Sequence, residues 1–173
     1  MKGIFITGTD TNVGKTHIAT QLARALTQKN VRVIPRKPVE TGCTRTGNEL
    51  LPADALALKT AANYSGSLQQ VCLYRFEPAI SPALAARQVN KKLCVHDLTS
   101  ACLSGVTEND FLLVEGAGGF YSPAVAALRL NRHSVHHCTV VNKIRRHLLP
   151  VKNHFQLRQT STPMLNRVRT AFY

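Results

Sequence analysis

Two periods of apolar and polar positions alternate along the first 120 or so residues. Gly3-Ile4-Phe5-Ile6-Thr7 is a short apolar run closed by Gly8, the signature of a buried strand. Residues 15–29 switch to a helical period, with Ile18, Leu22, Ala25 and Leu26 expected on one face. Residues 31–34 return to strand character and are expected to end near Pro35-Arg36-Lys37-Pro38. Helical patterns follow at 53–62, 82–87 and 96–104. Phe111-Leu112-Leu113-Val114-Glu115 then forms a second buried strand, closed by Gly116-Ala117-Gly118-Gly119. Strands alternating with helices predict an α/β fold, a doubly wound parallel sheet covered on both faces.

From about Ala124 the periodicity is lost. Thr139-Val140-Val141 and His147-Leu148-Leu149 are apolar islands among basic residues, and Pro150 would end any helix started at 144–148. The charge changes at the same place. Residues 1–123 carry 13 basic and all nine acidic residues of the chain, whereas 124–173 carry nine basic residues, five histidines, no acid and no glycine. Two regions are therefore expected: a domain at 1–123 and a basic tail at 124–173.

The remaining composition narrows the setting. A chain of 173 residues is one domain by length. No apolar run is long enough for a membrane span, and the N-terminus has no signal-peptide pattern. The five cysteines are scattered and form no C-x-x-C pair, which predicts reduced thiols in a cytoplasmic protein.

The chemistry concentrates in four clusters. Gly8-Thr9-Asp10-Thr11-Asn12-Val13-Gly14-Lys15-Thr16 lies between a strand and a helix, as a phosphate-binding loop must. Its first glycine stands one residue further out than in the common G-x-x-x-x-G-K-[ST] pattern, with Thr9 in the usual glycine position. Lys15 is placed for β- and γ-phosphates and the Thr16 hydroxyl for Mg2+. Lys37, at the end of the second strand, is expected at the same carboxyl edge of the sheet. Asp54 opens a helix, and taken alone it reads better as the N-cap of that helix. Glu115 ends a run of four apolar residues on an expected central strand. A carboxylate there needs a partner, and a magnesium ion is a suitable one.

Taken together, GTDT-x-VGKT (8–16), KPVETG (37–42), the segment beginning at Asp54 and VEGAGGFYSP (114–123) resemble the dethiobiotin synthetases. The resemblance covers residues 1–123, and that family carries the same displaced glycine. It implies a cytoplasmic homodimer that uses ATP, CO2 and 7,8-diaminononanoate to make the cyclic urea of dethiobiotin, in biotin biosynthesis. It implies Lys37 and Lys15 as catalytic residues. Asn12, Val13, Gly14, Lys15, Thr16, His17, Asp54, Glu115, Gly116, Ala117 and Gly118 would meet the nucleotide. Thr16, Asp54 and Glu115 would surround Mg2+, and Thr11, Asn12, Thr41 and Ser81 would meet the diamine. Asn12 stands where that family often has an acid.

The likeness stops at Pro123, with 50 residues remaining. Their abrupt loss of acids and glycines reads as an out-of-frame continuation, with impaired turnover as its consequence. Two other readings compete. A basic tail of this charge would suit nucleic-acid binding, although it lacks stacking or zinc-binding motifs. A phosphate loop alone also suits an ATPase of the partitioning or cofactor-amidating type, against which KPVETG argues.

Overall fold

The computed structural model describes residues 2–119 and the backbone of one further strand, His137–Val141. The chain divides into two units, Met1–Lys143 and Ile144–Tyr173, and every described residue belongs to the first. Thirteen elements are described. They are β1 (Lys2–Gly8), α1 (Lys15–Thr27), β2 (Val33–Arg36), β3 (Val39–Thr41), β4 (Thr44–Thr46), β5 (Glu49–Leu51) and α2 (Ala53–Ala61). Then come α3 (Leu68–Val71), β6 (Tyr74–Phe76), α4 (Pro82–Gln88), α5 (Val95–Leu103), β7 (Phe111–Glu115) and β8 (His137–Val141).

The main sheet has the order β2-β7-β1-β8, all pairs parallel. Strand alternation divides its apolar residues between two faces. Ile6, Val33 and Leu113 pack with Ala19 and Ala23 of α1 and with Leu58 and Ala61 of α2. Phe5, Ile34, Leu112 and Val114 face the other way, against Cys102 of α5. The expected two-sided α/β arrangement is therefore observed. Gly3 lets β1 approach β7, since a methyl group there would lie 2.7 Å from the Leu112 carbonyl oxygen.

Three details depart from the expectations. Ala25 is exposed. Ala19 and Ala23 are the apolar residues that α1 buries, because a close helix–sheet approach favours alanine, while Ile18, Leu22 and Leu26 flank them. The second strand begins two residues later than expected and runs through Pro35. Proline is tolerated because β2, among the described strands, pairs only with β7 and stands at the edge of the sheet. Thr139-Val140-Val141 is not an isolated island but part of β8, which pairs with β1 from Ile4 to Gly8. The other readings made for 120–136 and 142–173 lie outside the described residues.

Short elements fill the region between β2 and α4. β3 pairs in parallel with β6, and β4 with β5 as an antiparallel hairpin turning at Gly47. Val39 and Phe76 pack with Ala85 and Ala86 of α4 and Leu98 of α5 in a separate cluster. Cys43, Cys72, Cys94 and Cys102 are free thiols. Burial pushes Cys43 up to about 11 and Cys102 to about 12, so neither is a ready nucleophile at neutral pH.

Candidate functional site

The carboxyl ends of β1, β2 and β7 meet the N-termini of α1 and α2 at one edge of the sheet. A cavity of about 700 Å3 opens there. Its first wall is the loop between β1 and α1. Asn12 adopts a left-handed conformation (φ 55°), as does Gly14 at the N-cap of α1 (φ 102°). That turn leaves the first amides of α1 uncapped by any side chain at Gly14, as anion binding requires. The Lys15 ammonium folds back over the loop and donates to the Asp10 carbonyl at 2.6 Å. Burial, and then the charge of Lys37, lower its pKa, against opposing pulls from Glu115, Asp54 and Asp10.

Lys37 is the hub of the second wall. Its Nζ donates to Glu115 Oε1 and to Asp54 Oδ2, both at 2.6 Å. The Lys37 side chain is 5% exposed and that of Glu115 fully buried, while Asp54 is 42% exposed. Burial alone would lower the Lys37 pKa, but the two carboxylates more than offset it and hold it above the ordinary lysine value. The Thr16 hydroxyl also donates to Glu115 Oε1, at 2.7 Å. Glu115 Oε2 is buried and has no hydrogen-bond partner among the described residues. Asp54 and Glu115, from α2 and β7, thus meet around a single ammonium group, and Thr16 of α1 joins them through Glu115. They are hard oxygen donors, and an unsatisfied buried carboxylate oxygen among them suits a cation.

The bland reading of Asp54 as a helix cap does not hold. Pro52 occupies the N-cap of α2 and supplies no side-chain bond. The cap is Glu40 of β3, whose Oε1 accepts from the Asp54 amide and Oε2 from the Ala55 amide, each at 2.9 Å. Burial raises the pKa of Glu40, a shift partly opposed by the Asp54 amide and the Lys37 charge. Glu40 was part of a recognised motif, yet no local signal assigned it a role. Its partners lie 14 and 15 residues away in the chain.

Most of the sequence-predicted residues line this one cavity. Thr11, Asn12, Gly14, Lys15, Thr16 and His17 do so from the loop and α1; Lys37, Thr41, Asp54, Ser81, Ala117 and Gly118 do so from the other side. Ser81 is the N-cap of α4 but makes no side-chain cap hydrogen bond. Three predicted residues are not in the lining. Val13 packs against the core, Glu115 is fully buried, and the Gly116 amide donates to the Ile6 carbonyl at 2.9 Å. Ala79, Ile80 and Gly119 line the cavity without having been singled out. Gly119 touches the phosphate loop so closely that a methyl group would meet the Thr9 carbonyl oxygen at 2.6 Å. Among the described residues no three or more His, Cys, Asp or Glu side chains cluster as a metal site. None of the described helices is long and apolar enough to cross a membrane.

Comparison with known proteins agrees with this geometry. A family model described as an AAA domain matches residues 2–132. The ATP-dependent dethiobiotin synthetase of Vesicomyosocius okutanii is 43% identical over 131 residues, which are 76% of this chain and 58% of that protein. Its counterpart from Ruthia magnifica is 42% identical over 131 residues, 76% of this chain and 59% of the relative. That of Cellvibrio japonicus is 43% identical over 122 residues, covering 70% and 54% respectively. The chain therefore spans less than two thirds of the length of each of these relatives.

Proposed function

The chain belongs to the AAA domain family, and from that premise we propose that it carries the nucleotide and metal apparatus of an ATP-dependent dethiobiotin synthetase. The observation that carries the reading is the Lys37 ammonium, held 2.6 Å from both Glu115 and Asp54 beside a strand–loop–helix phosphate site. Its relatives, ATP-dependent dethiobiotin synthetases, support the same reaction. The substrates are then ATP, CO2 and 7,8-diaminononanoate.

The chemistry to be managed is the meeting of two anions. One amine of the diamine takes up CO2 as a carbamate, whose oxygen attacks the γ-phosphorus as ADP leaves. The second amine then closes the cyclic urea and expels phosphate. The amides at the start of α1 and Lys15 hold the β- and γ-phosphates. Lys37 leaves its carboxylate partners to stabilise charge on the carbamate and the transferring phosphoryl group. Thr16, Asp54 and Glu115 would hold Mg2+, which when bound supplies positive charge against the phosphate oxygens. Two carboxylates and a hydroxyl fit an ion that is completed by phosphate and water. Thr11, Asn12, Thr41 and Ser81, which line the cavity, would meet the diamine. A homodimer in the cytoplasm completes the reading.

The test is phosphate release from ATP by the purified 173-residue chain. Release is expected to require both the diamine and bicarbonate, at a rate below that of a full-length relative. DNA-stimulated hydrolysis indifferent to the diamine would overturn the reading.

A further inference from the structure

The carboxylate of Glu40 is buried at the wall of the cavity, yet both of its oxygens are engaged by backbone amides of α2. The helix has no side-chain cap of its own at Pro52, so its first turn is held from β3. An uncapped first turn frays. Asp54 lies in that turn, its side chain is partly exposed, and its hydrogen bond is to Lys37. Lys37 in turn bonds Glu115. Glu40 and Lys37 are also three residues apart in one segment, so the same piece of chain supplies the cap and its beneficiary's partner. A closed circuit results: Glu40 fixes the Asp54 backbone, Asp54 reaches Lys37, and Lys37 reaches Glu115.

We infer that Glu40 is a positioning residue, which acts through Asp54 to place the carboxylate pair for a divalent cation and the bound nucleotide. The inference rests on the phosphoryl-transfer reading above. A cap that served only folding would stabilise α2 without altering what Asp54 does.

Direct binding separates the two. Mn2+ uptake by the full chain in the presence of the non-hydrolysable analogue AMP-PNP is followed by electron paramagnetic resonance, for the parent, Glu40→Gln, Asp54→Asn and the double variant, with thermal melts alongside. Glu40→Gln is expected to weaken Mn2+ binding by about tenfold. The double variant should bind within about twofold of Asp54→Asn alone, because one residue acts through the other. Glu40→Asp, which keeps the charge but withdraws it by one methylene, should also lose affinity and serves if the amide variant does not fold. A lowered melting temperature with unchanged Mn2+ affinity, or losses that multiply in the double variant, would overturn the positioning role. A parent chain that binds AMP-PNP and Mn2+ in those cases leaves the phosphoryl-transfer reading intact; a folded parent that binds neither overturns both.

Discussion

Lys37 neutralises two carboxylates, one of them with no access to solvent. Removing one partner of such a buried pair leaves the other charged and unpaired. Lys37→Met is therefore expected to lower stability at pH 7 by about 3 kcal/mol, measured by urea denaturation. The pH dependence has a definite sign. The folded pKa lies above 10.5, so the lysine's contribution is fully present below 10.5 and is lost as pH rises through the folded value. Lys37→Met should accordingly flatten the alkaline limb of the stability profile. The same residue shows how far sequence reached. Lys37 and Glu115 were legible from their places at the ends of strands. The direct bond between them was not, because 78 residues separate them and only the β2-β7 pairing brings their strands together.

At the scale of elements, Arg36 illustrates what an edge strand can position. It is 1% exposed, and among the described residues no acidic partner satisfies it. Its guanidinium instead donates to the carbonyls of Ala101 (3.1 Å) and Ser104 (2.6 Å) at the end of α5, and to Pro35 (2.9 Å). Tyr64 lies beneath it, 5.5 Å from the ring centroid. A cation at a helix C-terminus complements the orphan carbonyls and the dipole there. Arg36→Met should cost about 3 kcal/mol in urea denaturation, since buried carbonyls lose charged donors. Nucleotide affinity should change little, because Arg36 does not line the cavity. Nothing in the local pattern announces this role; Arg36 stands where the second strand is expected to end. The long elements β1, α1, α2, α4, α5 and β7 were legible because each spans enough residues to show a period. β3, β4, β5 and β6 have three residues each and α3 has four, too few for a period to emerge. They are specified by contacts across the chain instead, as when the Lys37 amide meets the Val71 carbonyl at 2.8 Å.

At the largest scale described, the candidate site lies at one edge of a sheet with unequal sides. β7 and β1 are central, while β2 and β8 flank them. The Phe111 amide donates to the Arg32 carbonyl at 2.9 Å. Alternation along the strand then turns Pro35, three residues later, away from β7. Its ring thus replaces an N–H on the outward side of β2. That side is not open to another molecule, since all four residues of β2 are buried and the Lys37 amide just beyond Pro35 donates to the Val71 carbonyl of α3 at 2.8 Å. Pro35→Val would add an N–H inside this covered flank, and is expected to lower stability by about 1–3 kcal/mol in urea denaturation. The proline thus spares the flank a buried donor, one residue before the Arg36 that meets the end of α5 and two before the lysine that holds Asp54 and Glu115.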